Sequence, residues 1–438
     1  MERTATTGGL RAAPAPGAGA RITLAILCFV YVLNFLDRQL IAILAKPIQD
    51  SLHITDGQLG RLTGFYFALF YCFIAIPIGW LADRTSRLGI LSVACALWSG
   101  ATAACGMVGS YGQLVVARMT VGIGEAGGVP PSYAVISDSF PRERRTTAMA
   151  IFNLGPPIGS ALGVAFGASL AAAFNWRIPF FAIGAIGVAA ALAVHLLARE
   201  PNRGATDSPA TAVRVDAERA GFVATIAQFF GNPILLMASL ASGAGNFITY
   251  GLLNFTTLFL MREKGMALGE VAIWYALVVA IGMGGGIYAS GRIVDRFSRR
   301  NRAAYATIPA LSLLLALPFF LGFAWAPGWR LALAFLGVPM FLNSFFLSAT
   351  VTFVQNEVPP ERRVISGALL LLVMNFIGLG LGPTYVGMAS DLFRPAYGAH
   401  ALQAAYYALA PMYLVGAALF LVLARMIRRD EPRSEGKP

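Results

Sequence analysis

The chain has 438 residues, of which 57% are hydrophobic and only 12% are charged. Water-soluble domains carry roughly 25% charged residues, so an ordinary soluble globule is excluded, and so is disorder, which needs low hydrophobicity and high charge. The net charge of +12 would suggest nucleic acid in a soluble protein. Here the basic residues are spaced between apolar segments rather than gathered on one polar face, which argues against a nucleic-acid partner and for membrane topology.

Residues 1–20 are rich in Ala, Gly and Pro and read as a cytoplasmic tail. The apolar segment that starts near Ile22 is too long for a signal-peptide core and has no small-residue cleavage site, so it reads as a retained span. Apolar segments recur at 22–45, 60–82, 88–109, 113–137, 146–173 and 177–198, then at 224–261, 269–291, 303–324, 330–355, 364–389 and 401–425. Each has about the 20 residues that a helix needs to cross a bilayer. They are continuously apolar rather than alternating, which selects helices over barrel strands. The expectation is an all-α membrane protein with twelve transmembrane helices in two pseudo-symmetric six-helix halves, 21–198 and 222–425. A cytoplasmic linker at 199–221 joins the halves, and a C-tail occupies 426–438.

Lysine and arginine set the orientation. The N-tail, the loops after even-numbered spans and the C-tail hold 24 basic residues; the opposite loops hold seven: Lys46, Arg61, Arg177, Arg262, Lys264, Arg330 and Arg394. Both termini are therefore expected in the cytoplasm. The four cysteines fall inside apolar stretches without metal or disulfide spacing, and the three histidines are far apart in sequence, so no metal site is expected. A duplication is legible as well. Gly79-Trp80-Leu81-Ala82-Asp83-Arg84-Thr85-Ser86-Arg87 is echoed by Gly291-Arg292-Ile293-Val294-Asp295-Arg296-Phe297-Ser298-Arg299, and Pro141-Arg142-Glu143-Arg144-Arg145 by Pro359-Pro360-Glu361-Arg362-Arg363. Two echoes at nearly one offset make the chain a tandem repeat, and paired halves around a midplane site are the architecture of secondary transporters.

The Gly79–Arg87 segment resembles the cytoplasmic signature of the major facilitator superfamily, Gly-x-Leu-Ala-Asp-Arg-x-Gly-Arg, with Ser86 and Ser298 in place of the second glycine. Arg118-x-x-x-Gly122-x-Gly124 is similar to that superfamily's fourth-span motif, and Gly155-Pro156-Pro157-Ile158-Gly159 to part of its fifth-span antiporter motif. Asn34-Phe35-Leu36-Asp37-Arg38, the run Arg118–Ala126 and Arg199-Glu200-Pro201 resemble the Spinster-like group within it. That resemblance implies movement of lysophospholipids, sphingoid lipids or similar amphiphiles, coupled to protons, with no cofactor beyond the proton gradient.

A charge at the bilayer centre costs at least roughly 2.5–3.5 kcal/mol, so those that persist are functional by default. Four occur, all in the first half: Asp37, Arg38, Arg118 and Glu125. Arg118 and Glu125 are two helical turns apart on one face, too far for a tight pair but both able to address the first span. Asp37 and Arg38 diverge by about 100° on theirs, so only one faces a central cavity squarely. Proton coupling is assigned to Asp37 and Glu125 with Arg118, and substrate binding to Arg38, Arg118, Glu125, Tyr250, Asn246 and Asn343. The plain structural reading is a charge-neutralising pair buried between helices. A cytoplasmic gate is expected from Gly79, Asp83, Arg84, Arg87, Asp295, Arg296, Glu143 and Arg144, with Arg299, Glu361 and Arg362 beside them; topology signalling is the alternative use of its arginines. Gly122-Ile123-Gly124-Glu125-Ala126-Gly127 matches a dinucleotide fingerprint but follows no strand, so its glycines are assigned to helix packing.

The expected protein is a proton-coupled transporter of an amphiphile, monomeric, in a cell membrane. The Arg-rich, Lys-poor composition points to a bacterial inner membrane. A small organic acid or a drug is the alternative substrate. An intramembrane enzyme would need a nucleophile with a base, or a metal cluster, and the four charges supply neither.

Overall fold

The computed structural model describes residues 18–82, 84–201, 222–359 and 362–430. All regular structure among them is helical. Nine separate helices are long and apolar enough to cross a membrane, and a tenth apolar stretch, Ile365–Asp430, holds two more crossings. That stretch is divided at Gly398, whose φ of +52° is open to glycine but strained for other residues. The fourth crossing is formed by two shorter helices, Tyr111–Glu125 and Val129–Ser139. The fold is therefore twelve-spanning, with six spans to each half.

The departures from the expected boundaries have local causes. The fourth span breaks after Glu125 because Ala126-Gly127-Gly128 precedes Pro130 and Pro131, which have no N–H to continue the ladder. The segment expected at 224–261 is two helices, Phe222–Gly231 and Pro233–Arg262; Asn232 caps the second, accepting from the Ile234 and Leu235 amides. The linker and both tails lie largely outside the described residues.

The first span, Ala18–Ile43, carries half of the intramembrane charge and is held by the fifth, Thr147–Ala173. Gly155, Gly159, Gly163 and Gly167 recur every four residues and form one stripe. A Cβ at Gly163 would sit 2.9 Å from the Leu36 carbonyl and from the Gln39 Cβ, and one at Gly155 2.7 Å from the Tyr31 ring. The stripe thus lets two backbones approach closely beside Asp37 and Arg38. Part of the segment that resembles an antiporter motif is, in this fold, the packing face for the first span.

On the basic face, Glu200 closes the first half. Its carboxylate accepts from Ser86 Oγ, from the Arg87 amide at 2.7 Å and from the Leu88 amide, neutralising the N-terminus of the third span, Arg87–Cys105. Arg87 in turn donates to Asp138 at the end of the fourth span. These bonds tie spans 3, 4 and 6 together within one half.

Gly163→Leu inserts a side chain where backbone already stands. Overpacking of this kind costs about 1–3 kcal/mol, so the detergent-solubilised variant is expected to unfold at a lower temperature than wild type. Gly79→Ala, at a site with nothing within 4 Å of the added carbon, is expected to leave the midpoint unlowered or slightly raised in the same thermal scan, since alanine is the better helix former.

Candidate functional site

Four charges meet in the first half, paired crosswise. Asp37 turns towards the third and fourth spans, where Oδ1 accepts from Thr102 Oγ1 at 3.0 Å and Oδ2 from Arg118 Nη1 at 3.3 Å. Arg38, one residue on, reaches the C-terminal end of the fourth span's first helix, where its Nε donates to Glu125 Oε2 at 2.6 Å. The two turns between Arg118 and Glu125 thus match the divergence of Asp37 and Arg38, so each residue of one span meets an opposite charge on the other. Asp37, Arg118 and Glu125 are 2%, 3% and 1% exposed. As a group the four are neutral, the condition under which such burial is tolerable.

Aromatic rings complete the site. The Arg38 guanidinium lies 4.6 Å from the Tyr71 ring centre, 4.8 Å from Phe35 and 5.3 Å from Phe67, and Arg118 lies 4.5 Å from Phe67. Phe67 therefore serves both arginines, holding two like charges by their attraction to its faces. The span break places Glu125 at a helix C-terminus, where the helix dipole opposes negative charge, and Arg38 offsets that opposition.

Several buried polar atoms here have no protein partner: Arg38 Nη2, Arg118 Nε, Glu125 Oε1 and both side-chain polar atoms of Asn34. Buried polar groups are normally paired, so these atoms are available to water or to a ligand. The two arginines open onto a small pocket with Phe35, Phe67, Tyr250 and Asn254, at the junction of the two halves. Asp37 is absent from its lining. Tyr250 stands where the sequence placed a C-half contact. Asn246 and Asn343 do not: Asn246 donates to the Met374 carbonyl and Asn375, and Asn343 to the Tyr413 hydroxyl. Both donate within the second half rather than into this pocket, and Asn343 Oδ1 is buried without a protein partner. Periodicity cannot tell a polar residue that faces a neighbouring helix from one that faces a cavity.

At the basic face the hydrogen bonds and ion pairs between described residues stay within one half. Arg84 lies over the Trp80 ring at 3.9 Å, Arg87 pairs with Asp138 of its own half, and Asp295, Arg296 and Arg144 are exposed. Among the described residues, the pairs Arg87–Asp138 and Arg302–Glu357 at this face do not cross between the halves. Asp83, Glu361 and the Glu143 side chain lie outside the described residues.

The halves are instead locked at the opposite face, by residues the sequence reading missed. Asp56, at the start of the second span and fully buried, accepts from Arg262 in bidentate fashion at 2.9 and 2.7 Å. Gln49 and Ser390 each donate to it at 2.6 Å, and Arg394 lies at 3.2 Å. Asp391 of the second half accepts from the Asp56 and Gly57 amides, capping a helix that belongs to the first half. The two helices touch through glycine: a Cβ at Gly60 would collide with the Pro383 carbonyl, and one at Gly387 with that of Asp56. One signal was available. Asp56 and Asp391 flank spans on a face with few charges, and two of its seven basic residues are Arg262 and Arg394.

A twelve-span duplicated fold with buried charges beside a pocket between its halves is the architecture of secondary transporters. Residues 27–383 match the model of the Major Facilitator Superfamily. The chain is 32% identical to an MFS-type efflux pump of Mycolicibacterium smegmatis, over 92% of each, and 27% identical to human protein spinster homolog 1, over 96% of this chain and 83% of that protein. It superposes on the crystal structure of a bacterial homolog of the human lysosomal transporter Spinster, described as inward-facing and unoccupied, with a TM-score of 0.87 and 29% identity, covering 95% of this chain and 99% of that one. The chain belongs to the Major Facilitator Superfamily and, within it, is Spinster-like.

Two outcomes are expected of this geometry. Arg118→Ala leaves Asp37 buried with Thr102 alone, and breaking a buried pair costs about 3–5 kcal/mol. The double variant Asp37→Asn/Arg118→Ala is expected to recover much of that loss in a thermal double-mutant cycle, and strict additivity would show the two are uncoupled. Asp56→Asn weakens the lock. With spin labels at Thr55 and Tyr397, pulsed EPR is expected to show a longer-distance population that wild type lacks.

Proposed function

We propose that the chain is a proton-coupled secondary transporter of an amphiphilic, lipid-like substrate, a lysophospholipid or sphingoid lipid, working by alternating access. The observation that carries this reading is the neutral quartet of Asp37, Arg38, Arg118 and Glu125 beside the central pocket, with guanidinium donors unused. A carboxylate beside an arginine keeps its charge, and one left in a dry site without it takes up a proton. A substrate that draws Arg38 away from Glu125, or a change of hydration at the pocket as the halves move, would break and restore the crosswise pairs, and with them release or capture a proton at Asp37 or Glu125. Arg38, at the pocket, would then be exchanged between Glu125 and the anionic group of a substrate, for which guanidinium geometry is suited. The charged first half fits a headgroup, and the second half brings no charge to the pocket, which it lines with Tyr250, Asn254 and Leu379.

The basic face is placed in the cytoplasm with both termini, in a bacterial inner membrane, so a lock at Asp56 corresponds to an inward-facing state. The protein acts as a monomer without a cofactor, driven by the proton gradient. Similarity to an efflux pump supports a second reading, export of a small organic acid or drug by the same site.

Proteoliposomes under an imposed pH gradient separate these readings. Labelled lysophospholipid is expected to move in a gradient-dependent manner. Glu125→Gln is expected to retain exchange but lose the gradient dependence, and Arg38→Ala to lose transport at least tenfold, the loss of more than 1.4 kcal/mol of binding. Movement of an organic acid alone would keep the coupling and discard the lipid. Unchanged lysophospholipid transport in Arg38→Ala would sink the headgroup role.

A further inference from the structure

A groove of about 840 Å³ lies away from the charged quartet, on the outer flank of the third and fourth spans. Gly100, Ala104 and Ala117 form its bed, and Leu97, Met107 and Val116 its exposed rims. Small residues on both helices leave a channel where larger ones would meet. From Ala96 to Met107 it follows eleven helical steps, about 16 Å at the α-helical rise. That is half of the roughly 30 Å hydrocarbon core, the depth of one leaflet.

Its end at the face opposite the basic loops is polar in a specific way. Val108, which lines the groove, accepts from Arg177 Nη2 at 3.2 Å, and the next amide, Gly109, donates to Gln113 Oε1 at 2.8 Å. Two side chains from different spans are thereby tethered to one turn. The tether on Gln113 uses its acceptor, so its NH₂ remains as a donor, and Arg177 keeps Nε and Nη1 while its guanidinium rests 4.2 Å from the Trp176 ring. No carboxylate is among the groove's lining residues. A cation and an amide donor at the interface, above an apolar channel one leaflet deep, are complementary to a phosphodiester with an acyl chain beneath it.

We infer that this flank is a phospholipid-binding site, in which one acyl chain lies along Gly100, Ala104 and Ala117 and the lipid phosphate is held by Arg177 and Gln113. The ligand is a membrane phospholipid of the leaflet opposite the basic face, not the transported substrate, and the site is separate from the central pocket. Ala101 and Ala117 of the groove adjoin Thr102 and Arg118 in sequence. A chain seated there covers the outer faces of the helices that carry Thr102 and Arg118.

The test is lipid retention by the full-length protein in native mass spectrometry, independent of any transport. The probe is phosphatidylglycerol with 16-carbon chains, because no carboxylate awaits a cationic headgroup. Wild type is expected to retain one lipid through detergent removal. Arg177→Gln, which removes the charge, and Ala104→Leu, which fills the channel, are each expected to lower the bound fraction at least about fivefold. Arg330→Gln removes an arginine that lies over Trp329 at the start of a helix on the same face and is expected to leave retention unchanged. Wild-type retention in both Arg177→Gln and Ala104→Leu would overturn the site, and so would an equal fall in Arg330→Gln, which would reduce the effect to general surface charge.

Discussion

The crosswise pairing of two carboxylates with two arginines is the constraint on which the first half depends. Charges of this kind are tolerated in a membrane only when they cancel locally, and cancellation at this precision demands that two spans keep a fixed register. The register follows from elementary helix geometry. Adjacent residues on one helix diverge by about 100°, residues seven apart nearly coincide, and only the crosswise arrangement lets Asp37 meet Arg118 while Arg38 meets Glu125. Packing then serves the register. The glycine stripe of the fifth span brings the first span close, and Phe67 sits between the arginines.

The second half contributes little charge and much framing. Tyr250 and Asn254 complete the pocket, while Asn246 and Asn343 donate within its own interior. Its charges near the lock do something different: Arg262, Arg394 and Asp391 reach across to Asp56 and to the start of the second span. Among the described residues, buried, bidentate and capping bonds join the halves at one face, and the pairs at the other face stay within a half. That asymmetry is what an alternating-access protein needs in any one of its states, because each end must be able to close while the other opens.

The duplicated Gly79–Arg87 segment illustrates how a motif can be legible while its present use is not. Its spacing and its place after the second span were readable from the residues. Arg87 nevertheless turns to Asp138, and Ser86 joins Glu200, all within one half. The Arg199-Glu200-Pro201 segment, which carries part of the family resemblance, thus caps the third span. Local sequence cannot choose between a partner in the same half and one across the gap, because both lie at the same membrane depth.

Hydrophobic length, the absence of strand alternation and the basic-residue count determined by themselves that the chain is a twelve-span helical protein built from two related halves. So did the rarity of intramembrane charge, which isolates Asp37, Arg38, Arg118 and Glu125 because their desolvation cost is paid wherever they point. Only the tertiary structure decided which of them pair, that Asn246 and Asn343 face helices rather than a pocket, and that Asp56 is the node of the lock. Those outcomes depend on contacts between residues up to 335 positions apart. Such contacts arise when whole helices pack, and the direction of a polar side chain around its helix is set by that packing rather than by its neighbours in the chain.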